Sequence, residues 1–318
     1  MSQQPLSVVL GATGGVGHHL VEALERHGHS VRAVSRSGSQ VGSAESVSAD
    51  IDTAEGIIKA TAGATVIYMA AAPAYYDWAQ RFEGMIDGVI TGAERSGAKL
   101  VMVDNFYMYG PDVEDIYEDS PQSPPGHKGK TRKALAEQLM AAHEAGRTQV
   151  VIGRLSDYYG PGGKNSAMSV TAILPALNGK TLRWGGHPDR PHTLHYLPDV
   201  AKAFVTLGES DRANGEVWIL PAAEPLTGTQ LISLIESETG NSVKWSRPPA
   251  ALFTVAGIFN KMMRELKETT YQFDQRYVSH ANKYLEAFGA FDVTPHAEAL
   301  RRTFDWYRSE AKAAKVNA

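Results

Sequence analysis

Along the first half of the chain, short runs of β-branched and aliphatic residues alternate with longer stretches in which apolar residues recur every three or four positions. "LSVVL", "HSVRAVS", "ATVIYMA", "KLVMVD" and "TQVVIGR" show the first pattern; "GVGHHLVEALERHG", "TAEGIIKATAG", "WAQRFEGMIDGVITGAERSG" and "KTRKALAEQLMAAHEAG" show the second. Continuous apolar runs predict strands buried on both faces, and the longer rhythm predicts amphipathic helices. Their strict alternation predicts βαβ units, hence an α/β fold with a Rossmann-type, doubly wound parallel sheet of roughly seven strands.

After Arg154 the rhythm breaks at "YYGPGGKN" and again at "WGGHPDRPH". The helix pattern "PDVAKAFVTLGES" and the strand pattern "EVWIL" return to the sheet, whereas "TGTQLISLIESETG", "PPAALFTVAGIFNKMMRELKE" and "TPHAEALRRTFDWYRSEAKAAK" read as helices. Residues 1–160, continued by about 190–220, are therefore expected to form the Rossmann domain, and residues 161–189 and 221–318 a smaller, mainly helical substrate lobe.

Composition narrows the function classes. The formal net charge of -4 provides no basic field for a nucleic acid. No apolar run is long enough to span a bilayer, and "MSQQPLSVVL" lacks the features of a signal peptide, so a cytoplasmic protein with no membrane partner is expected. With no cysteine there is no thiolate nucleophile and no disulfide.

In "VVLGATGGVGHHL", Gly11, Gly14 and Gly17 stand between a strand and a helix, with Thr13, Gly15 and Val16 among them. Glycines there allow a tight turn, close approach of a pyrophosphate and close helix packing, while the helix N-terminus donates N–H groups to the anion. The second strand ends without the Asp or Glu that would accept bonds from an NAD ribose and offers Arg32 and Arg36, which suit a 2′-phosphate. NADP(H) is thus expected over NAD(H), which remains possible. Asp50 and Ile51 follow the third strand, where they reach the adenine, and Ala70, Ala71 and Ala72 after the fourth let backbone lie against the dinucleotide.

These residues resemble the extended short-chain dehydrogenase/reductase superfamily, the NAD-dependent epimerase/dehydratase type. "GATGGVG", "VIYMAAAP", "VMVDNFYMYG", "RLSDYYGPG" and "RPHTLHYLPDV" carry the resemblance over nearly the whole chain. In that family a Ser or Thr after strand five and a Tyr-x-x-x-Lys pair opening the next helix serve hydride transfer. The resemblance puts Lys133 on the family's lysine, beside the nicotinamide ribose, but Gly129 falls on its tyrosine and Asn105 on its hydroxyl. Tyr107, Tyr158 and Asp157 are the groups that could replace the lost phenol, with Tyr109 a packing residue. His127, Lys128, Lys130 and Arg132 are either solvated on the loop and first turn, or one of them faces the pocket and meets an anion.

The acidic pair that dehydratases carry after the hydroxyl position is Phe106 and Tyr107 here, which argues against that dehydration. His187, His192 and His195 read as incidental loop histidines, not metal ligands, and Arg190 resembles an arginine set against a substrate diphosphate. The expected activity is an NADP(H)-dependent oxidoreductase acting on a carbonyl, alcohol or activated double bond of a small molecule. An epimerase using its coenzyme transiently and a non-catalytic NADP(H) sensor are the alternatives, and the resemblance implies a homodimer.

Overall fold

The computed structural model describes residues 5–247 and 267–316. Seven strands make the central sheet: β1 Leu6–Leu10, β2 Ser30–Ser35, β3 Glu45–Ser48, β4 Val66–Met69, β5 Lys99–Asp104, β6 Val150–Arg154 and β7 Glu216–Ile219. Their order is β7-β6-β5-β4-β1-β2-β3, and every pairing is parallel. The order reverses between β1 and β4, so a crevice opens beyond their carboxyl ends.

Strand periodicity sorts the core into two faces. Helix α1 (Gly15–Arg26) follows β1. Val8, Leu10, Ile67, Met69, Leu100, Met102 and Ile152 pack on one side of the sheet, under α2 (Ala54–Thr61), α3 (Trp78–Ser96) and α4 (His127–Glu144). On the other side, α1 and α5 (Leu197–Glu209) cover Val9, Tyr68, Val101 and Val151. Phe204 of α5 sits so close to β6 that a Cβ on Gly153 would lie 2.4 Å from its ring, which accounts for a glycine inside a buried strand.

Beyond the sheet, α6 (Gly228–Thr239) and α7 (His296–Val316) enclose a third core around Trp184, Leu231, Ile235, Leu300 and Phe304. Thr227 and Gln230 close a reciprocal cap on α6. This region contains more than helices: short parallel ladders join Tyr158–Tyr159 to His195–Tyr196, Leu182–Arg183 to Trp245–Ser246, and Asp115–Ile116 to Val278–Ser279. Two-residue ladders carry too little periodicity to be read from sequence. The expected helix in "PPAALFTVAGIFNKMMRELKE" lies almost wholly outside the described residues. Among the described residues, no helix is long and apolar enough to cross a membrane.

Candidate active site

The turn from β1 into α1 is built by close approach. Gly11 has φ +88°, and a Cβ there would lie 2.8 Å from the Ala71 backbone nitrogen; a Cβ on Gly17 would lie 2.2 Å from the Gly11 carbonyl oxygen. The amides of Gly11 and Ala12 both donate to Val34 O, which fixes the turn to β2. Helix α1 opens on Gly14 with no side-chain cap, so its first-turn N–H groups are left for an anion beside exposed Thr13 and Gly14. Val16 is buried beneath this turn, and Gly15 faces Gly163, Leu197 and the Tyr158 ring. The arrangement leaves exposed, uncapped backbone donors of the kind that a dinucleotide diphosphate needs.

At the carboxyl ends of β4 and β5 stands an aromatic cluster. Tyr107 stacks on Trp78 with centroids 6.0 Å apart and meets Tyr75 edge-on at 6.4 Å. The Lys128 ammonium lies 4.4 Å from the Tyr75 ring centre, and the Arg132 guanidinium lies 4.4 Å from that of Trp78. Lys128 and Arg132 are four residues apart on one face of α4, and both are buried. Of the four cations grouped at the start of α4, these two turn inward, whereas His127 and Lys130 are exposed. Cations at a helix N-terminus oppose its macrodipole, and here a distant segment offsets them: Glu268 accepts from the Lys128 amide at 3.1 Å, where Gly126 provides no side-chain cap.

Gly129 explains the missing tyrosine. A Cβ at this position would lie 2.1 Å from the Tyr107 carbonyl oxygen and 2.4 Å from Pro124 Cβ, so α4 lies directly on the loop that carries Tyr107. No side chain can project from this point without moving the helix.

Beneath the cluster, Asp104 at the end of β5 accepts from Arg154 Nε at 3.0 Å and from Arg132 at 3.3 Å. Arg154 also donates to the Tyr109 hydroxyl at 2.8 Å, so Tyr109 belongs to a polar network in addition to packing. On the far side, Asp157 Oδ2 is 3.0 Å from His192 Nε2, and the His192 ring is stacked between Phe273 and Tyr277 with its Nδ1 3.1 Å from Gln272 O. His192 is therefore not incidental: it anchors Asp157. His195 accepts from the Ser156 amide and donates to Leu220 O, and burial pulls it down to about 4, so it is neutral. Among the described residues no group of His, Asp and Glu has the arrangement of a metal site.

Burial pushes the Tyr107 hydroxyl well above the ordinary phenol range, and burial with the Asp157 charge pushes Tyr158 up. Both are proton donors rather than bases at neutral pH.

Several expected residues fall elsewhere. Lys133 is a helical step away from the Lys128–Arg132 face; its Nζ donates to Gln122 O at 3.3 Å and it borders an open hollow of ≈ 470 Å³ with Asp119, Glu137 and Val217. Spacing to Glu137 could not reveal that α4 presents a neighbouring face inward. Arg32 is also committed elsewhere, to Glu45 at 2.9 Å and to the carbonyls of Ala60 and Ala62 at the end of α2. Arg36 is exposed just past β2, with Ser35, Ser37 and Ser39 linked by hydroxyl contacts around it. Asn105 turns its side-chain oxygen back to the Tyr107 amide at 3.0 Å, shaping the loop. Asp50 is exposed and Ile51 buried past β3; Ala71 lies against Gly11, the Ala70 amide donates to Leu10 O, and Ala72 is exposed. Lys128 and Arg132 are the ones among the grouped cations that meet the cluster, while Tyr75 and Trp78 are the members that the sequence reading did not single out; the signal available was the aromatic density of "AYYDW" after β4.

A parallel sheet of this order with a glycine-built turn from β1 into α1 defines a Rossmann-type fold. The family model for the NAD dependent epimerase/dehydratase family matches residues 7–220, and the chain belongs to that family of enzymes. No curated protein matches the chain. Solved structures of similar fold include MoeE5 in complex with UDP-glucose and NAD, at 20% identity and TM-score 0.76, covering 96% of this chain and 99% of that one. UDP-glucuronic acid 4-epimerase from Bacillus cereus, in complex with UDP-glucuronic acid and NAD, shares 17% identity at TM-score 0.77 with coverage of 96% and 99%. dTDP-glucose 4,6-dehydratase from Bacillus anthracis, in complex with NAD, shares 16% at TM-score 0.77 with coverage of 97% and 98%.

Two outcomes follow from these contacts. Gly129→Ala forces α4 off the Tyr107 carbonyl and lowers stability by about 1–3 kcal/mol, read from the urea midpoint. His195 binds its proton more weakly folded, at about 4, than unfolded, at about 6.5. Its stabilising contribution is complete above the unfolded value and is lost as pH falls through that window. Unfolding free energies at pH 7 and pH 5 should differ by about 2 kcal/mol more in the native protein than in His195→Asn.

Proposed function

We propose that the protein binds a nicotinamide dinucleotide across the β1–β4 crevice and transfers hydride to or from a carbonyl or alcohol carbon of a small molecule. The observation that carries this reading is the convergence of two features on one edge: the Gly11–Ala71 approach with the open start of α1, and the Tyr107 cluster with Asp157 at the ends of β5 and β6. The two are linked through Tyr158, whose ring borders Gly15 while its chain neighbour is Asp157.

In this reading Gly11, Thr13, Gly14, Gly15, Val16 and Gly17 hold the diphosphate, Asp50 and Ile51 border the adenine, and Ala70, Ala71 and Ala72 form the wall. The coenzyme supplies hydride chemistry when bound. The chain's own residues do the rest: Tyr107 donates a proton to the substrate oxygen, Tyr158 and Asp157 bound the opposite side, Asn105 holds the loop, and Lys128 takes the electrostatic place expected of Lys133. Donation by a placed phenol accelerates such a step by about 100- to 10,000-fold. NADP(H) is the preferred coenzyme, supported by Arg36 and the absence of a carboxylate at the end of β2; the structural neighbours are NAD complexes, which keeps NAD(H) as the alternative. The neighbours' sugar-nucleotide ligands make an epimerase with transient coenzyme oxidation the second reading.

The test is coenzyme binding by tryptophan quenching in the native protein and in Arg36→Ala. Tighter binding of NADPH than of NADH, with the variant losing about tenfold for NADPH alone, supports the assignment. Equal loss for both coenzymes removes the 2′-phosphate role of Arg36, no loss for either removes Arg36 from the site, and failure of both to bind at millimolar concentration removes the oxidoreductase reading. Absorbance at 340 nm then separates net redox turnover from epimerisation.

A further inference from the structure

The Tyr75 hydroxyl is buried and completes no hydrogen bond, although the hydroxyls of Tyr107 and Thr269 lie close enough to influence its ionisation. A buried phenol is ordinarily partnered, and leaving one unpartnered costs about 1–3 kcal/mol. The position of this one explains why the cost is tolerated. Tyr75 stands four residues past Ala71, at the coenzyme wall, with its ring edge-on to Tyr107 and the Lys128 ammonium 4.4 Å from its centre.

We propose that Tyr75, backed by Lys128, is a positioning residue that donates to the Tyr107 oxygen as Tyr107 gives its proton to the substrate, so that the two phenols form one relay. This rests on the proposed oxidoreductase reading. The carbonyl carbon gains hydride from the reduced coenzyme, which is thereby oxidised, and the carbonyl π pair moves to oxygen. That oxygen takes the Tyr107 proton, Tyr107 takes the Tyr75 proton, and the negative charge comes to rest on Tyr75 beside the ammonium. Water later returns one proton. The unpartnered hydroxyl thus gains its acceptor only as charge develops, which stabilises the transition state more than the ground state. Burial pushes Tyr107 up further than Tyr75, so Tyr107 alone is a poor acid and Tyr75 is the better place for the charge.

The experiment uses the full chain, NADPH and NADH, and benzaldehyde, acetophenone and cyclohexanone as probe carbonyls. Tyr75→Phe keeps the ring and its packing. Expected are unchanged coenzyme affinity, a loss of kcat of about 10- to 100-fold, and a proton inventory in H2O/D2O mixtures that changes from curved to linear. Without substrate, the first ionisation of the Tyr75/Tyr107 pair, followed by 13C-tyrosine NMR, should move to higher pH in Lys128→Met. Retention of more than half the activity by Tyr75→Phe, an unchanged inventory, or an unmoved ionisation in Lys128→Met overturns the relay while leaving the oxidoreductase reading intact. Bound coenzyme with no turnover of any probe by the native protein, or no coenzyme binding, overturns both.

Discussion

The site depends on one buried carboxylate. Asp104 ends β5 at the crevice and holds two arginines, one from β6 and one from α4, with all three side chains almost wholly shielded from water. An unpaired charge in such a place is untenable, so each member requires the others, and removing one partner of a buried pair typically costs about 3–5 kcal/mol. Because Asp104 sits directly before Asn105 and the loop of Tyr107, the ion cluster fixes the floor under the phenols. Arg132, drawn inward to reach Asp104, also determines which face of α4 is presented to the sheet.

That rotation explains what the sequence could and could not disclose. The strands and helices of the sheet were legible because buried strands and amphipathic helices have different apolar periods, and β1 and β5 begin and end where those patterns do. The glycine turn was legible because its spacing is a steric requirement of a tight strand-to-helix junction. The face of α4 was not. Its start carries cations at nearly every position, and sequence spacing from Glu137 selected Lys133, whereas a tertiary partner some thirty residues upstream selected Arg132 and, one turn earlier, Lys128.

Arg32 failed as a phosphate ligand for a similar reason. Its position on β2 aims it along the sheet edge toward the carbonyl end of α2, where two orphan carbonyls and Glu45 satisfy it. Arg36, four residues later, lies beyond the strand and has no such competitors among the described residues. His192 was undervalued because its partner, Asp157, lies in a different loop, and nothing in either segment alone announces the pairing.

The contact between Glu268 and the Lys128 amide in the first turn of α4 also has an electrostatic consequence. Helix N-termini favour negative charge, and α1 opens without a side-chain cap. At α4 the same attraction is already met by a carboxylate from the chain's own later segment, so the two helix starts are electrically unequal. The start of α1 thus offers bare backbone donors, whereas the start of α4 sets a carboxylate beside the buried Lys128 and Arg132, so positive charge there is carried by side chains rather than by the helix end.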